Sequence, residues 1–234
     1  EEANQELTQY AHVVSHDLRT PLRAIHNYVD FLHEDLEGTL NEEQQVYLDG
    51  LGKAVQDAEA LVSDLLELSR LGRREGSFEP IDTGLLLQAL IAVMDLPENV
   101  EIIMEGTYPT LNLDEIVFRQ IFQNFISNAV KFNIADCKRI RIGCRVVADM
   151  EQGGDIAQEA AYEFYVRDNG IGIDPRYHKQ IFGVFERLHT AGEYEGTGIG
   201  LAIVRKGVTK LGGTVHLESE VGQGSTFFVR FPKA

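Results

Sequence analysis

The chain has 234 residues, enough for one large domain or two small ones, and its 44% hydrophobic and 25% charged content describes a folded chain rather than a disordered one. Its formal charge of −16, from 21 basic and 37 acidic side chains, argues against nucleic acid or an anionic membrane surface as partner, since both require a basic face. The longest wholly apolar run, Ala89 to Met94, is too short to span a bilayer, and no signal-peptide pattern stands at the start. Two cysteines, Cys137 and Cys144, cannot make a disulfide framework or a four-cysteine metal site, which fits a reduced, cytoplasmic setting.

Residues 1–72 carry 4 basic and 15 acidic side chains, a net −11. Apolar residues recur at Leu7, Ala11, Val14, Leu18, Leu22, Ile25, Val29, Leu32 and Leu36, in the three-and-four spacing of one long helix. Two consecutive fours around Leu18, with Pro21 in the same turn, predict a bend just after His16. Gly38 fits a helix C′ position, and Asn41 with Gln44 forms a capping box for a second helix through Leu48, Leu51, Val55, Ala58, Val62 and Leu65. Two helices alone cannot bury such a stripe, whereas two copies can, as a four-helix bundle. Residues 1–72 are therefore expected to form a homodimer. The pattern is already under way at Glu1, so a longer chain is expected, whose upstream part feeds helix 1.

His16 stands about 200° around the helix from Val14 and from Leu18, so its imidazole is expected to face solvent. Asp17 follows it and Thr20 lies one turn on, on the same face. A carboxylate beside an exposed imidazole fixes its tautomer and leaves one nitrogen free as a nucleophile. An ordinary surface histidine remains the bland alternative. Metal binding by His12 and His16 lacks the H-E-x-x-H glutamate and a third ligand.

A polar, glycine-punctuated seam at residues 73–77 separates this hairpin from a second domain, 78–234. There the pattern predicts a strand from Phe78 to Ile81, a helix capped by Asp82 to about Met94, and extended segments Val100–Glu105 and Thr110–Leu113. A long helix capped by Asp114 runs to Phe132, and Arg139–Val147 and Tyr162–Val166 form a strand pair joined by a polar connection. A helix is expected near Pro175 and another over Ile199–Leu211, before a closing hairpin of Thr214–Ser219 and Ser225–Phe231. Strands and helices mix without βαβ regularity, so the domain reads as α+β.

Three groups here call for a chemical explanation. Asn124, Asn128 and Lys131 share one face of the long helix, and amide oxygens with an ammonium suit a hydrated Mg²⁺ and phosphate oxygens. Asp168-Asn169-Gly170-Ile171-Gly172 follows a strand, where a carboxylate can accept from an exocyclic amine while glycines let the backbone close around a flat ring. Gly196-Thr197-Gly198-Ile199-Gly200-Leu201 opens a helix, whose N-terminal N–H groups suit phosphate. It is neither a Walker A loop nor a Rossmann fingerprint. Each group alone has a bland reading as a polar face or glycine turn.

Taken in order, the motifs resemble those of sensor histidine kinases. Ser15 to Leu22 resembles their H box and Asn124 to Phe132 their N box. Asp168 to Gly172 is similar to G1, Val184 to Leu188 to the F box, Gly196 to Gly200 to G2, and Gly222 to Thr226 to the last glycine box. The wording around Phe185 to Thr190 and Glu193 to Gly198 is similar to the phytochrome-type branch. The resemblance implies an all-α dimerisation hairpin followed by an α+β two-layer sandwich of the Bergerat type. It also implies an enzyme that autophosphorylates His16 from ATP with Mg²⁺ and passes the phosphoryl group to the receiver domain of a response regulator. By the same resemblance Asp168 holds the adenine amine, Asn128 ligates Mg²⁺ with Asn124 beside it, and Lys131 contacts phosphate. Gly198 and Gly200 wrap the phosphates under a lid of residues 188–196, and Thr226 lines the adenine pocket. Phe132, Gly170, Gly172, Arg187, Gly196 and Leu201 complete the nucleotide-binding set. Asp17 orients His16 and takes its proton, and Thr20 holds the position used in a reverse, phosphatase reaction. The weighed rivals are a chaperone- or gyrase-like ATPase of the same superfamily, which would lack the His16 box, and a degenerate kinase serving as a dimeric scaffold.

Overall fold

The computed structural model describes residues 2–71, 77–148, 160–188 and 196–233, with the side chains of residues 2–17, 148 and 160 outside the description. Most of the predicted seam (73–76), the polar connection 149–159 and most of the lid (189–195) thus lie outside the described residues. Helix α1 (Glu2–Asp35) is uninterrupted across Pro21, and α2 (Glu42–Leu71) returns beside it. The turn follows the expected chemistry. Gly38 takes φ +71°, Gln44 N–H donates to Asn41 Oδ1 at 2.8 Å, and Asn41 N–H donates to Gln44 Oε1 at 3.0 Å. Val29, Leu48, Val55, Val62 and Leu66 are buried, yet part of the stripe is open: Leu18 is 46% exposed, Ile25 43% and Leu51 46%. Among the described residues, one hairpin leaves part of its apolar face uncovered.

The second domain begins with β1 (Phe78–Asp82) and α3 (Thr83–Val93), whose cap Asp82 accepts from the N–H groups of Gly84 and Leu85. Then come β2 (Val100–Gly106), β3 (Thr110–Asp114) and α4 (Glu115–Lys131), the last capped by Asp114. Strands β4 (Lys138–Ala148) and β5 (Ala160–Asp168) follow, and α5 (Gly200–Lys210), β6 (Thr214–Glu220) and β7 (Gly224–Pro232) complete the chain. A small antiparallel sheet joins β1 to β3. A five-stranded sheet has the order β2-β4-β5-β7-β6, with β2 and β4 parallel and every other pair antiparallel. Its inner face packs on α4 through Phe118, Phe122, Phe125, Phe164 and Phe231, all essentially without solvent contact. The two-layer α+β sandwich matches the sequence reading.

One element differs. In place of a helix at Pro175 there are two short 3₁₀ turns, Pro175–Tyr177 and Gln180–Phe182. Pro175 starts the first turn as expected. The chain then turns Ile181 and Phe182 into the core at the second of these turns. The end of α2 joins the second domain as well: Leu71 is buried in the sandwich core, with Leu65 and Leu68 packed against it.

Candidate active site

A cavity of about 320 Å³, within the range of small-ligand sites, opens between α4, the glycine loops and α2. One wall is the α4 face foreseen from spacing: Asn124, Asn128, Lys131 and Phe132 all line it, together with Ser127. Asn124 Nδ2 donates to Gln120 O at 2.9 Å, which fixes its amide and turns its Oδ1 toward Gly200. A Cβ at Gly200 would collide with that oxygen, and one at Gly196 with Lys131 Nζ. The glycines of the second loop therefore let the start of α5 close on α4. Gly196, Gly198, Gly200 and Leu201 line the cavity, as do Arg187 and Leu188 at the edge of the lid.

The opposite wall is built on the end of β5. Asp168 is 8% exposed and its Oδ1 accepts from the N–H of Gly170 at 2.8 Å and of Ser225 at 3.1 Å. Burial pushes its carboxyl up to about 6 despite these two donors, so the site holds a carboxylate short of solvation and suited to one more N–H donor. Asn169 fastens the wall to the sheet: its Oδ1 accepts from Asn133 Nδ2 and Arg139 N–H, and its Nδ2 donates to Cys137 O. Ile171 N–H donates to Phe132 O at 3.0 Å, joining the N-box helix to the G1 turn. Ile171, Gly172, Ile173, Ile181 and Phe227 supply an apolar floor for a flat ring.

Two expected residues are placed otherwise. Gly170 does not line the cavity. Its α carbon packs against the Phe132 carbonyl with no room for a side chain, so it allows the wall to form and is not itself the contact surface. Thr226 lies on the outer face of the sheet, beside Glu218 and Phe228, because strand residues alternate sides; Ser225 and Phe227 face the cavity. Sequence reasoning also missed Ala60 and Asp64 of α2, which line the same cavity. No local motif marks them, since a distant fold contact brings them there. Thr20 is exposed on α1. His16 and Asp17 lie on the α1 backbone, and their side chains are outside the described residues.

Two family models match in this order. The His Kinase A phospho-acceptor domain covers residues 6–74, and the histidine kinase-, DNA gyrase B- and HSP90-like ATPase covers residues 113–234. The chain belongs to the sensor histidine kinase family. Its ATPase half is an ATP-binding domain, which excludes a clamp ATPase lacking the phospho-acceptor hairpin. The phytochrome-like protein Cph1 of Synechocystis sp. is 35% identical over 234 residues, covering 99% of this chain and 30% of the relative. Cyanobacterial phytochrome B of Nostoc sp. is 37% identical, covering 97% of this chain and 30% of the relative. The kinase core thus falls on the phytochrome-type branch and spans under a third of the length of these relatives. Full-length ShkA in complex with AMPPNP shares the fold at a TM-score of 0.67 and 31% identity, over 97% of this chain and 46% of that one. Among the described residues no helix is long and apolar enough to cross a membrane.

Proposed function

We propose that the protein is a homodimeric, cytoplasmic histidine kinase that transfers the γ-phosphoryl group of ATP to His16 and then to an aspartate of a response-regulator receiver domain. The observation that carries this reading is the cavity itself. A buried carboxylate, Asp168, and an apolar floor line it, and so do Asn128, Lys131 and the N-terminus of α5. The first set suits an amino-purine and the second a chain of phosphates.

In this reading adenine seats on Ile171 and Phe227 with its amine donating to Asp168. Lys131 and the Gly198 and Gly200 backbone hold the phosphates. The amide oxygens of Asn128 and Asn124 suit a hydrated Mg²⁺, which when bound neutralises phosphate charge. His16 attacks the γ-phosphorus in line. An N–P bond forms, the bond from the γ-phosphorus to the ADP oxygen breaks, and the imidazole proton passes to Asp17. A carboxylate oxygen of the receiver then takes the phosphoryl group from the imidazole. Thr20 holds a water for the reverse, phosphatase reaction. An upstream sensor domain supplies the signal, and the net −11 of the hairpin steers a partner with a basic rim.

The test is incubation with γ-labelled ATP and Mg²⁺. Label that is acid-labile, alkali-stable and absent from His16→Gln supports the kinase. A wild type that binds ATP and never labels supports the scaffold reading.

A further inference from the structure

Helix α2 reaches into the nucleotide cavity through one hydrogen bond. Thr197 Oγ1, in the glycine loop before α5, donates to Asp64 Oδ2 at 2.5 Å across 133 residues of sequence. The same hydroxyl accepts from Ile199 N–H at 3.2 Å, so the loop backbone holds it in place. A threonine hydroxyl has one proton to give. While that proton goes to Asp64 it is withheld from a phosphate lying in the loop, and the carboxylate that receives it stands on the wall of the cavity that Lys131 and Gly198 also line.

The surroundings make this a charged, partly desolvated contact. Lys206 Nζ of α5 donates to Leu68 O of α2 at 2.9 Å, and burial holds this lysine below its usual range. Glu67 is pushed up, mainly by burial and then by the charge of Asp64. Leu65, Leu68 and Leu71 pack on the sandwich core beside it. Position adds a constraint. His26 pairs with Glu59 at 3.4 Å and Gly52 packs on Val29, so the antiparallel hairpin carries Asp64 to the level of the α1 turn that holds Thr20, about one turn from His16.

We infer that Asp64 is a positioning residue: its bond to Thr197 latches the ATP-binding domain to α2, and the phosphates of an arriving nucleotide open the latch by accepting the hydroxyl's hydrogen bond in its place and repelling the carboxylate. Nucleotide occupancy thereby frees the domain to approach His16. The inference rests on the nucleotide reading above and assigns a gate to the same cavity.

The test uses the full chain with Cys137 and Cys144 replaced by serine and spin labels at Asp57 on α2 and Arg205 on α5. In the wild type, AMPPNP is expected to lengthen the label distance. Asp64→Ala is expected to show that longer distance without nucleotide, and to bind a fluorescent ATP analogue about tenfold more tightly because no latch opposes it. Asp64→Glu restores the wild-type behaviour. In autophosphorylation Asp64→Ala lowers KM for ATP, and Asp64→Glu restores it. Equal distances and equal affinity in wild type and Asp64→Ala, with nucleotide binding intact, overturn the latch and leave the ATP reading standing. A loss of affinity in Asp64→Ala also overturns it, since Asp64 would then belong to the binding set. A wild type that binds no nucleotide overturns the ATP reading, and the nucleotide-free distances still judge the latch separately.

Discussion

The hairpin and the sandwich solve the burial problem in opposite ways. In the sandwich, α4 lays Phe118, Phe122 and Phe125 on the five-stranded sheet, and one chain closes its own core. In the hairpin, Val29, Val55 and Val62 are covered while Leu18, Ile25 and Leu51, on the same stripe, are open to water. The two helices already bury Val29, Val55 and Val62, and the rest of their packing energy waits for another surface. The contrast matches a division of labour. In the proposed function the sandwich carries the ligand cavity, with Ala60 and Asp64 of α2 in its wall, and the half-open hairpin offers a helix surface to a second copy and to a receiver.

This contrast can be broken from its strong side first. Phe164→Ala, in the middle of the sandwich core, is expected to cost about 3–5 kcal/mol and to abolish nucleotide binding, as read by chemical denaturation and by ATP-analogue titration. A loss below about 1 kcal/mol would mean that the core is not closed by one chain.

Next, Ile25→Asp with Leu51→Asp places charges on the open stripe. The pair is expected to yield a monomer by sedimentation equilibrium that still binds nucleotide. A dimer that persists would remove the hairpin's role in assembly.

Asp168 sharpens the comparison through pH. Its carboxyl is raised from 3.8 to about 6, so the folded domain binds a proton more readily than the unfolded chain does. The stability this contributes is fully present below pH about 3.8 and is lost as pH rises through about 6. A nucleotide amine prefers the ionised carboxylate and works the other way, so ATP-analogue affinity is expected to fall as pH drops through about 6. In Asp168→Asn that pH dependence should vanish along with most of the affinity; a variant that keeps the wild-type pH profile would take Asp168 out of the adenine contact.

The smallest effect is at the turn. Asn41→Ala removes one arm of an exposed capping box and should cost the hairpin about 1 kcal/mol, measured by thermal unfolding.

Legibility in the sequence divides along the same line. Features set by neighbours in the chain were readable: the Asn41–Gln44 box, the Asp82 and Asp114 caps, the strand boundaries, and the α4 face of Asn124, Asn128 and Lys131. Features set by distant parts were not. Asp64 and Ala60 reach the cavity because α2 docks on α5, and no pattern around residue 64 encodes α5. Thr226 was misplaced by one residue, which on a strand is the whole width of the sheet, and Ser225 holds the inner position. The helix expected at Pro175 gave way because Ile181 and Phe182 are drawn into the core.

The central claim is that the cavity delivers phosphorus to one imidazole. Tandem mass spectrometry of the protein after brief exposure to Mg²⁺ and ATP, with digestion kept at neutral to alkaline pH, tests it most directly. The account predicts a single phosphoryl group, on His16. A phosphoryl group on any other side chain, or ATP consumed with His16 unmodified throughout, would contradict it.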